Sequence, residues 1–287
     1  MLDPQPVRQR EAGSGMAEFY VDDVRVEVAG APDAPAVLLI HGSAGSLEHW
    51  DPVVPALAEA FRVIRVDLPG CGRSPAPATG GFGVPEQARR IGAVLDRLGA
   101  ERVTVVGHSS GCMVATALAE ARTGAVAAVV LIGMGPDLNA ETGESPLVRL
   151  LLLPVVGPLL WRLRMPDALR KAASTAVTRP VPIPDSYVEG AMAMTHRAFV
   201  GTLRASEKYL GQRALPERLA PLGLPLFVLF GAEDRRWRSS SAQLYRAVPG
   251  ARIELLPGVG HTPMLEATER TVALLRAFIA APAADAN

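Results

Sequence analysis

The chain has 287 residues, of which 29 are basic, 29 acidic and 49% hydrophobic. That composition can bury a large core and excludes global disorder. Zero net charge argues against a nucleic-acid partner, which needs surplus cations to neutralise phosphates. At about 150 residues per domain, two domains or one large α/β domain are expected. Cys71 and Cys112 are too few for a disulfide framework and belong to no C-x-x-C pair.

Residues 1–15 are polar, without the apolar run of a secretory signal, and read as a disordered leader. Ordered-looking sequence begins at Phe19, and Met16 is a second candidate start. Residues 24–28 (VRVEV) alternate with period two and predict a half-exposed strand. Residues 36–40, 62–66, 103–106, 126–132 and 226–230 are the apolar runs of strands buried on both faces, with a shorter one at 253–256. Amphipathic stretches at 52–60, 86–98, 111–121, 239–248 and 268–279 predict helices between them. Strand and helix alternate, so the expected fold is α/β: a mostly parallel twisted sheet flanked by helices.

The alternation stops between 136 and 214. That stretch holds Pro-interrupted apolar segments, a kink at Pro180, Pro182 and Pro184, and a long amphipathic piece from 186 to 210. About 79 residues is too long for a plain loop. It reads as a helical lid inserted into a core formed by 16–135 and 215–287. The longest uncharged apolar run, 150–161, is too short to span a bilayer, which needs about 20 residues, so no integral membrane segment is expected. A cytoplasmic location is the default expectation.

The strongest chemical signal is Gly107-His108-Ser109-Ser110-Gly111, directly after an apolar strand and before an Ala-rich helix. A serine on so sharp a turn projects its hydroxyl above the sheet edge, and the positions two before and two after it must be small. A hydroxyl is a weak nucleophile and needs a base. His261, in the loop after the last strand, is the candidate, against the bland alternative of a solvated loop histidine. His41 and His108 read as scaffold residues, and His196 falls on the lid. The base needs an acidic orienter. Asp234, at the end of a buried strand, is the first candidate, with Glu233 and Asp137 as rivals. Two oxyanion donors are expected, the N–H groups of Ser110 and of Ser43 in the Gly-rich loop after residues 36–40. On the lid, Trp161, His196 and Phe199 are candidate substrate contacts, with packing as the competing role. Basic residues beside the 150–161 run raise a third role, contact with a membrane surface, which Pro154, Pro158 and Gly157 make unattractive for one continuous helix.

These pieces, with His41-Gly42, Trp50-Asp51 and the 67–74 segment DLPGCGRS, resemble the α/β-hydrolase superfamily in its branch with a helical lid, over about residues 17–280. The resemblance implies a catalytic triad of Ser109, Asp234 and His261. Cys71 stands where the family usually has His, at a position that is not catalytic there. A serine in the elbow points to acyl transfer, on an ester, thioester or related bond of a small, hydrophobic molecule. The same residues in relatives also serve lyase, perhydrolase, cyclase and C–C bond hydrolase chemistry, and the Ser43 loop is similar to that of C–C hydrolases. A non-catalytic receptor on this fold is the remaining alternative. The sequence has no P-loop, no complete dinucleotide loop and no metal-ligand spacing, so neither cofactor nor metal is expected.

Overall fold

A computed structural model describes residues 10–12, 16–143 and 146–281. Among the described residues, nine strands form one sheet: β1 (Arg10–Ala12), β2 (Met16–Val21), β3 (Val24–Ala29), β4 (Ala36–Ile40), β5 (Arg62–Val66), β6 (Val103–His108), β7 (Val126–Ile132), β8 (Leu226–Gly231) and β9 (Arg252–Leu256). Their order is β1-β2-β3-β5-β4-β6-β7-β8-β9. From β5 to β9 every pairing is parallel, while β1, β2 and β3 add an antiparallel edge. The leader is therefore not wholly without structure: Arg10–Ala12 pairs with the start of β2, and residues 1–9 and 13–15 lie outside the described residues.

The apolar runs are continuous because both faces of the sheet are covered. Leu38 and Ile40 of β4 pack on one face, with Val84, Ile91 and Leu95, and Val37 and Leu39 pack on the other. The helices are α1 (Val54–Ala58), α2 (Val84–Leu98), α3 (Gly111–Ala121), α4 (Pro146–Leu151), α5 (Val156–Arg162), α6 (Pro166–Ser174), α7 (Asp185–Ala193), α8 (His196–Gln212), α9 (Leu215–Leu219), α10 (Pro263–Glu266) and α11 (Thr268–Ile279). α2 and α3 cover the first face, and α1 and α11 the second.

Two expectations change in detail. β3 alternates as predicted, but its polar face is buried: Arg25 is 3% exposed and Arg65 on β5 is 4% exposed. The reason is charge pairing. Arg25 reaches Glu18, Glu27, Glu48 and Asp67, and Arg65 reaches Glu27 and Asp51. Buried cations persist only where such partners replace water. The amphipathic piece from 186 to 210 is two helices, because Thr195 stops α7 and caps α8 by accepting from the Ala198 N–H at 3.1 Å. Helices α4 to α8 all lie between β7 and β8 in the chain.

Candidate active site

In chain order β4 has β5 on one side and β6 on the other, so strand order reverses at β4. Open α/β sheets bind ligands at the carboxyl ends of such strands. The loop 41–45 leaves β4 there, and the serine turn leaves β6.

Ser109 has φ +51°, a conformation that L residues adopt only under constraint. The constraint is close backbone packing. A Cβ on Gly111 would lie 2.5 Å from the carbonyl oxygens of Ile40 and His41, and one on Gly107 would lie 2.6 Å from Cys112. The turn is then fixed by the Ser109 N–H donating to Ile132 O at 2.9 Å and the Cys112 N–H to Ser109 O at 2.9 Å.

Asp234 and His261 meet. His261 Nδ1 donates to Asp234 Oδ2 at 2.8 Å, both residues being buried. A carboxylate only accepts, so this bond assigns the ring proton to Nδ1 and leaves Nε2 as the acceptor. The other carboxylate oxygen, Oδ1, accepts from the N–H groups of Arg236 at 2.7 Å and Trp237 at 3.2 Å. The rival acids are elsewhere. Asp137 caps a short helical turn through Asn139 N–H, and Glu233 is exposed.

His261 is also held through its backbone. Its N–H donates to Ala176 O at 2.8 Å, and its carbonyl accepts from His108 Nε2 at 2.9 Å. Ser109 and His261 flank the same end of β7: Ser109 bonds Ile132, and a Cβ on Gly133 would lie 3.3 Å from His261 Nδ1. Glu266 is a residue that sequence reasoning missed. Its Oε2 accepts from the N–H groups of Gly260 at 3.0 Å, Thr178 at 2.7 Å and Arg179 at 3.2 Å, and its Oε1 from Thr262 N–H at 3.2 Å. One buried carboxylate thus ties both flanks of His261 to the segment before α7. The signal available was Thr262 followed four residues later by Glu266 around Pro263, the start of α10.

The loop 41–45 is pinned from below. His41 Nδ1 donates to Gly42 O at 2.8 Å, and its Nε2 accepts from Leu68 N–H at 3.0 Å. Asp67 accepts from Leu47 N–H at 2.7 Å and Arg73 N–H at 2.8 Å. Ser43 and Ser110 face each other, with Ser43 Oγ donating to Ser110 Oγ at 2.9 Å. Beside them lies a recess of about 10 Å³, lined by Gly42, Ser43, Cys71, Ser110, Thr202 and Ser206. That is about the room of one water molecule.

Burial sets the protonation of the surroundings. His108 is pushed down to about 3 by burial first and by neighbouring His261 second, so it stays neutral with its proton on the nitrogen facing His261 O. Burial lowers His41 as well, and lowers His49 strongly. Burial pushes the Cys71 thiol up to about 12, with Asp67 adding to it, so Cys71 is no nucleophile at neutral pH.

The three aromatic residues predicted as substrate contacts lie together within the helices between β7 and β8. Trp161 stacks on Phe199 at 4.7 Å between ring centres, with His196 edge-on at 6.0 Å and the Arg164 guanidinium 4.5 Å from its ring centre. The Trp161 indole donates to Met194 O at 2.9 Å, and His196 Nε2 donates to Leu151 O at 2.7 Å. The residues that α8 brings to the recess are Thr202 and Ser206. Among the described residues, no helix is long and apolar enough to cross a membrane.

Comparison with known proteins gives a consistent set. A model of the alpha/beta hydrolase family matches residues 37–274. The putative carbamate hydrolase RutD of Variovorax paradoxus is 32% identical over 243 residues, 82% of this chain and 88% of that protein. Cfl2 of Burkholderia cenocepacia has the same fold, with a TM-score of 0.81 at 22% identity over 94% of this chain and 99% of that one. The esterase RhEst1 of Rhodococcus is 26% identical, with a TM-score of 0.69 over 96% of this chain and 98% of its own.

Proposed function

Because the chain belongs to the alpha/beta hydrolase family and is a hydrolase, we propose that it cleaves an ester, thioester or related acyl bond of a small hydrophobic molecule through Ser109, His261 and Asp234. The observation that carries this reading is the His261–Asp234 bond of 2.8 Å at the strand end that also holds the strained Ser109 turn. The names of two similar proteins, an esterase and a putative carbamate hydrolase, support the acyl-bond class.

In this mechanism Ser109 Oγ attacks the acyl carbon while its proton passes to His261 Nε2. Asp234 keeps the ring oriented and stabilises the imidazolium that forms. Negative charge on the former carbonyl oxygen is met by the N–H groups of Ser43 and Ser110. In a comparable site each such donor contributes about 3 kcal/mol to the transition state. The imidazolium gives its proton to the leaving group, and an acyl-enzyme remains. His261 then takes a proton from water, whose oxygen attacks the acyl carbon. Collapse frees the acid and restores Ser109.

The helices between β7 and β8 act as a lid in this reading. α8 supplies Thr202 and Ser206 to the recess, and the packing of Trp161, His196 and Phe199 sets where α8 lies.

A fluorophosphonate probe with turnover of p-nitrophenyl esters tests the proposal. Wild-type protein is expected to be labelled and active. Ser109→Ala is expected to fold, to escape labelling and to lose at least about a thousandfold in turnover, because the triad works as a unit. An unlabelled wild type, or a Ser109→Ala variant with near-normal turnover, overturns it.

A further inference from the structure

Among the described residues, eleven large apolar side chains stand exposed, and eight of them fall between Leu147 and Met165. Seven of these belong to the hairpin of α4 and α5, and Met165 stands at the N-terminal cap of α6. α5 turns Gly157 and Trp161, one helical turn apart, toward the protein. Val155, Leu159 and Leu163 have the same spacing offset by two residues, which places them on the opposite side, and they are 81%, 57% and 65% exposed. A water-soluble helix ordinarily carries polar residues there.

The prolines and glycine that argue against a continuous amphipathic helix build this hairpin instead. Pro154 lies in the turn between α4 and α5, and Pro158 lies in the first turn of α5, where its missing N–H costs nothing. A Cβ on Gly157 would come 2.1 Å from Leu151 O, so only glycine lets the two helices close. Leu153 and Val155 are thereby left at the projecting tip.

Charge selects the occupant. Residues 146–171 carry five basic side chains and one acidic one, Asp167, in a chain that is neutral overall. Arg170 pairs with Asp185 and Arg164 covers Trp161; Arg149 on α4, Arg162 at the end of α5 and Lys171 on α6 are exposed. Two copies docked tip to tip would oppose like charges. An anionic lipid surface satisfies both features, taking the apolar tip among its acyl chains and the cations at its headgroups. We propose that the α4–α5 hairpin docks this protein on anionic bilayer surfaces.

Flotation of the full chain with phosphatidylcholine vesicles, with and without about 30% phosphatidylglycerol, tests this. Binding to the anionic vesicles is expected to exceed binding to the neutral ones by at least about tenfold, and to weaken when salt rises from about 0.05 to 0.5 M. Val155→Asp with Leu159→Asp is expected to lower anionic binding at least about tenfold at unchanged melting temperature, since both side chains are exposed. Arg162→Glu with Lys171→Glu is expected to remove the preference for anionic lipid. Equal or absent binding to the two vesicle types overturns the proposal, as does anionic binding that survives both pairs of substitutions. Sedimentation showing a dimer that the Val155→Asp and Leu159→Asp pair dissociates also overturns it, by making the tip an interface between copies.

Discussion

The carboxyl edge of the sheet and the α4–α6 part of the helical insert are built on opposite terms. At the edge, backbone and side chain are determined together. The Ser109 turn has no room for a Cβ at Gly107 or Gly111, Asp234 accepts three hydrogen bonds, and Glu266 accepts four. By contrast α4 and α6 have no buried residue at all, and much of their apolar surface faces solvent. The insert is not uniform, however. Ala176, Thr178 and Arg179 bond to His261 and Glu266, so that short piece belongs mechanically to the edge. Reaction chemistry needs groups held to fractions of an ångström, whereas contact with varied apolar partners does not. Substitutions at the edge should therefore cost far more than substitutions in the insert.

The largest effect should come from Asp234→Asn, which keeps shape but destroys the preference for a proton on His261 Nδ1. Loss of the orienting carboxylate in a serine triad costs about 10⁴ in kcat, and we expect a drop of that order in ester turnover with little change in folding. Asp137→Asn removes only a short cap and should leave turnover unchanged. A larger loss from Asp137→Asn would break the assignment.

Much of this contrast was legible in the sequence. Continuous apolar runs gave the central strands, since a strand buried on both faces cannot alternate, and G-x-S-x-G with its strand and helix gave the turn. Asp234 and His261 were readable because each lies in the loop that leaves a strand end, Asp234 after β8 and His261 after β9. Three things were hidden for physical reasons. The alternation in β3 looked solvent-exposed because sequence cannot show that Arg25 finds Asp67 and that Arg65 finds Glu27, partners on other segments of the chain. Glu266 was missed because its role lies in accepting backbone N–H groups, which carry no residue identity. The α4–α5 hairpin was obscured because prolines read as helix breakers until the turn between two helices is known.

Glu266→Gln should rank next. The variant keeps one carbonyl oxygen but turns an NH2 group toward N–H donors, leaving buried donors unsatisfied at about 1–3 kcal/mol. We expect a lower melting temperature together with a turnover loss of about ten- to a hundredfold, because the loop that carries His261 loosens. Unchanged turnover at reduced stability would show that the loop is fixed by His108 and Ala176 alone.

His108 gives a graded test by pH. Its folded-state value lies at about 3, below the 6.5 of an unfolded histidine, so the unfolded chain binds the extra proton between those limits. Stability must therefore fall as pH drops through 6.5 toward 3, and this group accounts for about 3 kcal/mol of loss by pH 4. Burial shifts His41 and His49 in the same direction, so the wild-type slope should be steep. His108→Gln, whose amide can still donate to His261 O, should make urea-unfolding free energies less dependent on pH over that window. An unchanged slope would mean that His108 titrates normally.

The smallest effect should be that of Trp161→Phe, within the insert. The substitution keeps an aromatic face for Phe199 and Arg164, and it removes the indole N–H that donates to Met194 O together with part of the buried ring volume. That carbonyl is not orphaned, because Arg164 Nη2 also donates to it at 3.0 Å. The cost is therefore that of one replaceable hydrogen bond and a small void, about 1–3 kcal/mol, or about 2–5 °C in melting temperature for a chain of this size. The ranking of esters by acyl length should hold, since Trp161 is buried among the insert's own side chains and the recess beside Ser110 is lined from α8 by Thr202 and Ser206. If the ranking shifts while the melting temperature stays fixed, Trp161 touches substrate. The insert would then share the exacting geometry of the edge, and the contrast between the two regions would fail at its centre.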